Sequence, residues 1–290
     1  MAPTLLVLAA GMGSRYGGLK QIDPVGPSGE TVLDYAVFDA IRAGFTRVLF
    51  VIRREFEGEF RDKVTAKYAG RIAVDFVFQS TGDLPGGFAV PEGREKPWGT
   101  GHAVWCARNA VQGPFAVINA DDFYGAGSFS RLSGFLSSAK ESQFAIIGFR
   151  LANTLSENGT VSRGICQAKG GRLVSIREEK SISRADVGPG GRFSGEEIVS
   201  MNFWGFTPEV FSGLDAGLRG FLAISGSDPK AEFYLPAAVS DMISAGKASV
   251  EVIPSADAWF GITYKEDKER VASAIAALVA GGTYPARLFS

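Results

Sequence analysis

The segment Leu8-Ala9-Ala10-Gly11-Met12-Gly13-Ser14-Arg15-Tyr16-Gly17-Gly18-Leu19-Lys20-Gln21 sets glycines and two cations directly behind an apolar run. Glycines let the backbone come close to a phosphate, so that main-chain N–H groups can cradle it. Arg15 and Lys20 could neutralise a triphosphate held there. The spacing is not G-x-G-x-x-G, because Tyr16 stands in the third glycine's place, and no Gly-Lys-Ser/Thr follows to complete a Walker A loop. The same residues also describe a tight strand–helix turn carrying two solvated cations. By residue type alone, Asp121-Asp122 read as a helix N-cap or turn pair. His102, the only histidine, sits among small and apolar neighbours. It reads first as a packing or capping residue, with nucleotide contact and acid–base work as alternatives. Cys106 and Cys166 read as buried small apolar residues, and Trp98, Trp105, Trp204 and Trp259 as core or pocket wall.

The elements that must position these residues follow from apolar spacing. Leu5–Ala10 is a continuous apolar run ending at glycine, which suits a strand buried on both faces. Thr31–Ala43 has near-helical spacing and stops at Gly44. Arg47–Ile52 is a strand, Glu57–Tyr68 a helix, and Val74–Phe78 a third strand. That βαβαβ unit favours a doubly wound α/β fold with right-handed crossovers. Thr81–Pro97 reads as a loop, Gly101–Val111 as a helix, Phe115–Asn119 as a strand, Ser128–Ala139 as a helix and Phe144–Arg150 as a strand. Beyond about Leu151, strands are expected at Gly159–Ala168, Leu173–Glu178 and Ile198–Phe206, around a Gly/Ser/Arg-rich loop at Ser181–Gly195. That loop reads as a solvated mobile segment, or as a lid over the site. Pro208–Leu214 and Ala231–Ala245 read as helices and Val250–Pro254 as a strand. Val271, Ala274, Ile275, Leu278 and Val279 mark a last helix that ends at Gly281-Gly282. The expected organisation is one α/β body over residues 1–290 with a C-terminal elaboration.

Composition bounds the function. The chain has 290 residues, with 30 Lys+Arg against 31 Asp+Glu and a net charge of −1. That balance argues against a nucleic-acid binder, which needs a basic face. The hydrophobic fraction of 46% is that of a globular protein and not of a disordered chain. Two cysteines without a CxxC pair and one histidine exclude the common His/Cys zinc cages and a His-His metalloprotease helix. No apolar run reaches the roughly 18 residues of a membrane helix. Met1–Ala10 lacks a basic start and reads as a first strand, not a signal peptide, so a cytoplasmic protein is expected.

LAAGMGSR followed by Lys20 resembles the LAAGxGSR/LAAGxGTR…K signature of nucleotidyltransferases, above all the sugar-1-phosphate nucleotidyltransferases, or NDP-sugar pyrophosphorylases. The likeness continues in order along the chain. Gln79 resembles the glutamine that reads the nucleobase, and Gly99-Thr100-Gly101-His102-Ala103 the turn that packs against the base. Ala120-Asp121-Asp122-Phe123-Tyr124-Gly125 is similar to the GDN-x-FYG segment, Glu178-Glu179-Lys180 to the EEKP segment, and Asn202 lies in a stretch like N-x-G-I/V-Y. Trp259–Asp267 resembles W-x-D-x-G-T-x-E-D. The resemblance implies a GT-A-like fold: a Rossmann-like mixed, mainly parallel sheet flanked by helices. Residues up to about 150 would form a nucleotide-binding half and 151–290 a sugar-binding half.

It also implies a reaction and its residues. A sugar 1-phosphate oxygen attacks the α-phosphorus of an NTP and pyrophosphate leaves in line. The attacking group is already anionic, so positioning and charge neutralisation dominate. Ala10, Gly11, Gly13 and Ser14 would line the nucleotide, together with Gln79, Gly99 and Thr100. Arg15 and Lys20 would grip the triphosphate. Asp121 would hold Mg²⁺ or another divalent cation, with Asp122 the next candidate. Lys180 would hold the sugar phosphate, and Gly164, Glu179 and Asn202 the sugar. Gln79 with the glycine turn favours UTP or dTTP. The family's members often assemble as dimers or tetramers.

Three positions depart from the pattern. The second metal-binding aspartate falls on Gly261, so that Asp122 or Asp257 would have to supply a second ligand, and the proline after Glu-Glu-Lys is Ser181. Trp204 stands where the family has glycine and would narrow the sugar pocket. The first motif also resembles cytidylyltransferases of isoprenoid or molybdopterin pathways, which have non-sugar acceptors and are usually shorter. A nucleotide-sugar-binding regulatory protein that has lost catalysis is a third reading, favoured by Gly261 alone. A NAD-binding Rossmann enzyme lacks support, because Ile52-Arg53-Arg54 offers no acidic ribose clamp.

Overall fold

In the computed structural model, which describes residues 1–11, 23–261 and 266–289, the apolar runs pair as parallel strands. β1 (Thr4–Leu8), β2 (Arg47–Ile52), β3 (Ala73–Phe78) and β4 (Phe115–Asn119) lie in the order β3-β2-β1-β4. Alternate side chains of β1 enter opposite layers. Leu5 and Val7 pack with Leu33, Ala36 and Val37 of α1 (Val32–Arg42) and with Phe129 and Leu132 of α4 (Ala126–Ser138). Leu6 packs with Val104 of α3 (Thr100–Cys106), Leu214 and Leu218 of α5 (Val210–Ser225), and Val239 of α6 (Leu235–Ser244). Helices on both faces explain why these strands are apolar without alternation.

Local chemistry sets the helix ends. Thr31 and Asp34 form a capping box at the start of α1. Asp34 also accepts from Tyr68 Oη at 2.6 Å and pairs with Lys67, which ties α1 to the segment before β3. The helix expected over 57–68 is helical throughout but not uniform. α2 (Glu57–Phe60) passes into a π turn at Arg61–Thr65 and a 3₁₀ turn at Ala66–Tyr68, keeping Phe60, Val64 and Tyr68 buried. The helix expected to end at Leu214 runs on to Ser225. Two of its glycines are contact points: a Cβ on Gly213 would lie 2.1 Å from Met242 Sδ, and one on Gly217 would lie 3.2 Å from Phe233 Cζ.

The second half completes the same sheet. β6 (Gln143–Arg150), β7 (Val161–Lys169), β8 (Arg172–Ile182), β9 (Ile198–Phe206) and β10 (Ser249–Pro254) extend it to β3-β2-β1-β4-β9-β6-β10-β8-β7. The mixed sheet is wholly parallel in its first four strands. β6 and β10 are parallel as well, while β9, β8 and β7 run against their neighbours. β9 divides one edge between two strands: Trp204–Phe206 pair with β4, and Val199 and Ser200 with β7. That division brings β7 to the carboxyl end of β4. A two-stranded ribbon absent from the sequence reading, β5 (Asp122–Phe123) with β11 (Phe260–Gly261), pairs Gly261 with Asp122. After α7 (Asp267–Ala280) the chain returns to α1, where Tyr284 stacks edge-on against Tyr35 at 5.0 Å.

Tyr284 Oη donates to Asp39 Oδ2 at 2.6 Å, while Asp39 Oδ1 is buried with no partner among the described residues. Burial pushes this carboxyl from 3.8 up to about 7, against the Tyr284 hydrogen bond and the charge of Arg42. The folded chain therefore holds a proton that the unfolded chain releases near pH 4. Stability should fall as pH rises from about 4 to about 7 and level off above. Asp39→Asn should remove most of that fall and raise stability at pH 8 by on the order of 3 kcal/mol. Urea unfolding at pH 5 and pH 8 checks it; a variant with the wild-type pH slope would contradict the assignment.

Candidate active site

The carboxyl ends of β1 and β4 lie side by side. Leu8 pairs with Asn119, and Ala120 N donates to Leu8 O at 3.1 Å. Ala9-Ala10-Gly11 and Ala120-Asp121-Asp122 therefore emerge together, where open α/β sheets place ligands. Ala10 is buried, and among the described residues a Cβ on Gly11 would meet no atom within 4 Å. Gly13, Ser14, Arg15 and Lys20 lie outside the described residues.

Asp122 is buried and held by its own turn. Asn119 Nδ2 donates to its Oδ2 at 2.9 Å, and Tyr124 Oη lies 3.2 Å from the same oxygen. Tyr124 Oη also lies 2.9 Å from Met201 O, which ties the turn after β4 to β9. Burial first, and the Asp121 charge second, push the Asp122 carboxyl up to about 7. Its other oxygen, Oδ1, faces Gly261: a Cβ at 261 would lie 2.9 Å from it. The same Cβ would lie 2.4 and 2.5 Å from two ring carbons of Trp259. The indole thus fills the space into which a side chain at 261 would grow, and Asp122 brings a carboxylate to that place from the opposite strand of the ribbon. Asp257, the other candidate for a second ligand, is used elsewhere. It caps α4 by accepting from Ser128 N at 2.5 Å and Ser128 Oγ at 2.9 Å.

Trp259 is 4% exposed, and its Nε1 has no hydrogen-bond partner among the described residues. Arg163 of β7, also buried, lies over its ring at 5.1 Å. The Arg163 guanidinium donates to Thr154 Oγ1 at 3.2 Å, to Ser162 O at 2.9 Å and to Thr154 O. Burial lowers its pKa, against the charges of Asp122 and Glu178. Sequence reasoning missed Arg163. The signal was an arginine inside an otherwise buried strand segment, next to Gly164.

Gln79 follows β3 and is buried. Its Nε2 donates to Gly99 O at 3.0 Å and lies 3.1 Å from His102 Nδ1. Gly99 has φ +100°, and a Cβ there would meet Phe233 O at 2.7 Å. Gly101 N donates to Phe233 O and Phe233 N to Trp98 O, at 2.9 and 2.7 Å. The glycines of this turn are thus required by close approach to residues 233–235. Thr100 Oγ1 accepts from Leu235 N at 3.0 Å and so caps α6. His102 is fully buried, as the packing reading expected. Both cysteines are buried, and burial pushes the Cys166 thiol up to about 12.

The remaining predicted residues gather on β7, β8 and β9. Gly164 pairs with both Glu178 and Ser200. Lys180 is exposed on β8, and Glu178, two residues earlier, shares its face. Glu179 is engaged by Arg177 at 2.9 Å and Arg192 at 3.2 Å. Asn202 adopts φ +57° at an irregularity in the β9–β6 pairing and accepts from Trp204 Nε1 at 3.4 Å. The segment expected as a mobile loop carries its own bonds: a capping box at Ser183–Asp186, Gly188 N to Phe193 O at 2.9 Å, and Phe193 N to Asp186 O at 3.0 Å.

A family model described as nucleotidyl transferase matches residues 5–262. A search of curated proteins found no match. Among solved structures, the inositol-1-phosphate CTP transferase from T. maritima superposes with a TM-score of 0.65 at 14% identity, covering 97% of each chain. A UDP-glucose pyrophosphorylase complexed with UDP-glucose gives 0.60 at 16% identity, over 96% of this chain and 99% of that one. A protein assigned as a glucose-1-phosphate thymidylyltransferase, from Bacillus anthracis and in complex with sucrose, gives 0.64 at 14% identity, over 94% and 95%. At these identities the likeness is one of fold.

Proposed function

This chain belongs to the nucleotidyl transferase family, and from that premise we propose that it moves a nucleotidyl group from UTP or dTTP to a sugar 1-phosphate, releasing pyrophosphate. The observation that carries the reading is the pairing of the carboxyl ends of β1 and β4, Leu8 with Asn119 and Ala120 N with Leu8 O, from which Ala9-Ala10-Gly11 and Asp121-Asp122 continue. It sets carboxylates beside the place where a nucleotide's phosphates would lie.

A divalent cation fits the donors. Asp121 and Asp122 offer hard carboxylate oxygens, and Asp122 Oδ1 faces the space beside Gly261. These two residues would hold Mg²⁺, which supplies charge neutralisation on the phosphates when bound. The chain's own residues do the rest. The alanines and glycine after β1 let the backbone approach the nucleotide, and Arg15 and Lys20 draw charge from the departing pyrophosphate. Lys180 orients the acceptor phosphate for in-line attack. Glu179 is engaged by Arg177 and Arg192 on the face of β8 opposite Lys180, so it is left out of the grip on the acceptor phosphate. Gly164 and Asn202 line the same acceptor side. In this reading the first 150 residues bind the nucleotide and the remainder the sugar. No helix among the described residues is long and apolar enough to cross a membrane.

A second reading keeps the chemistry and exchanges the substrates: CTP and a non-sugar acceptor. It is favoured by the end-to-end likeness to the inositol-1-phosphate CTP transferase, which removes chain length as an argument against it. Pyrophosphate release with Mg²⁺, crossing UTP, dTTP and CTP against sugar 1-phosphates and inositol 1-phosphate, separates the two. Release with UTP or dTTP and one sugar 1-phosphate is expected, and Lys180→Ala should raise KM for the acceptor about tenfold or more with little change for the nucleotide. Release only with CTP and inositol 1-phosphate would select the second reading. Nucleotide-sugar binding without release from any pair would favour the regulatory protein.

A further inference from the structure

The hydrogen bonds through His102 have a polarity that can be followed from end to end. His102 Nε2 lies 2.6 Å from Asp83 O. A carbonyl oxygen can only accept, so Nε2 carries the proton. Burial lowers the pKa of His102 further than the Asp83 contacts raise it, and Arg108 and Arg94 add to the lowering. The ring is therefore neutral near pH 7, and its Nδ1 is an acceptor. Gln79 Nε2, 3.1 Å away, must donate to it. The second hydrogen of the same amide goes to Gly99 O at 3.0 Å. Turning the Gln79 amide over would set Oε1 against two acceptors at once. Both hydrogens of Gln79 are thus committed, and Oε1 is what it can offer a ligand.

We infer that His102 is a positioning residue that fixes Gln79 as an acceptor, and that this selects a uracil or thymine ring over cytosine. The inference rests on the reading that Gln79 faces the base. Uracil and thymine carry N3–H, which can donate to Oε1. Cytosine has a bare lone pair at N3, which would face the Gln79 oxygen across a buried contact with no proton between them. A free glutamine could turn its amide to suit either ring; this one is held. Sites that leave a buried acceptor unpaired discriminate far more strongly than sites that only differ in shape. His102 need not touch the nucleotide to have this effect.

Because His102 is the chain's only histidine, its tautomer can be read without assignment. The ¹⁵N spectrum of the imidazole should show Nε2–H, unchanged from pH 7.5 to 8.5. An Nδ1–H tautomer, or titration within that range, would overturn the inference. The second measurement is calorimetric binding of UTP and CTP with MgCl₂ to the full chain, with no acceptor needed. UTP should bind at least about tenfold tighter than CTP. His102→Leu should bring that ratio below about threefold, whereas His102→Asn, which can present an oxygen at the place of Nδ1, should keep most of it. The ratio is insensitive to a general loss of folded protein, and thermal unfolding of each variant monitors the fold. Gln79→Leu separates the two layers of the argument. If it leaves the ratio unchanged, Gln79 does not read the base and the inference falls with that reading. If it collapses the ratio while His102→Leu does not, the reading of Gln79 stands and the role of His102 falls. Tighter CTP than UTP in the wild type overturns the inference outright.

Discussion

Asp121→Asn should lower pyrophosphate release at least about a thousand-fold while making the folded chain more stable, not less. The loss follows from the place of Asp121 at the carboxyl end of β4, beside the turn that follows β1. An amide there keeps shape and size but carries no charge to neutralise a cation, and its carbonyl oxygen is a weaker ligand than a carboxylate. The gain follows from Asp122. Its carboxyl is pushed up to about 7 by burial first and by the Asp121 charge second. Both causes raise the folded value above the ordinary 3.8, so this group's contribution is complete at low pH and is lost as pH rises toward 7. Removing the neighbouring charge lowers the folded value and recovers part of the loss. Stability should rise by about 1 kcal/mol at pH 8, and the gain should shrink toward pH 5. Activity assays together with urea unfolding at the two pH values test both halves. Activity within tenfold of wild type would remove Asp121 from the proposed chemistry.

Gly261→Asp should fail as a repair. In the family pattern an aspartate belongs at this position, so the substitution would seem to restore a missing ligand. The geometry says otherwise. A Cβ at 261 lies 2.4 and 2.5 Å from Trp259 ring carbons and 2.9 Å from Asp122 Oδ1. The ring is packed beneath Arg163 and is 4% exposed, so it cannot swing away freely. The variant also adds a third carboxylate beside Asp121 and Asp122. Overpacking and like-charge repulsion together should cost about 3 kcal/mol. The steric part has a signature. Trp259→Ala should itself cost about 3–5 kcal/mol, but the double variant should cost at least about 2 kcal/mol less than the sum. Chemical unfolding of the two single variants and the double closes the cycle. Additive costs would sink the account in which the indole and a side chain at 261 compete for one space. Mn²⁺ binding followed by electron paramagnetic resonance adds an independent readout: Gly261→Asp alone should not tighten it.

The sequence determined most of the first half by itself, because the signals there are local. A run such as Leu5–Ala10 can satisfy its apolar side chains only between two layers, and Gly11 ends it. The helix start at Thr31-x-x-Asp34 is written within one turn of chain. The strand at Phe115–Asn119 and the carboxylates behind it were legible for the same reason, and so was the resemblance through LAAGMGSR. What only the tertiary structure decided depends on partners far along the chain. The polarity of Gln79 is set by a carbonyl at Asp83 acting through His102, and nothing in the residue types foretells which nitrogen of an imidazole carries the proton. The split edge of β9 brings Gly164 of β7 to the side of the sheet where β4 ends, yet β4 and β7 are separated by more than one element in sequence. The helix expected to stop at Leu214 runs on past Gly213 and Gly217, the places where Met242 and Phe233 come close. Gly261 looked like a lost ligand and is the room that Trp259 occupies, with Asp122 opposite. A residue's own period shows which face it lies on. What that face meets is decided by packing between segments that only the fold brings together, and in this chain the chemistry of the site sits at those meetings.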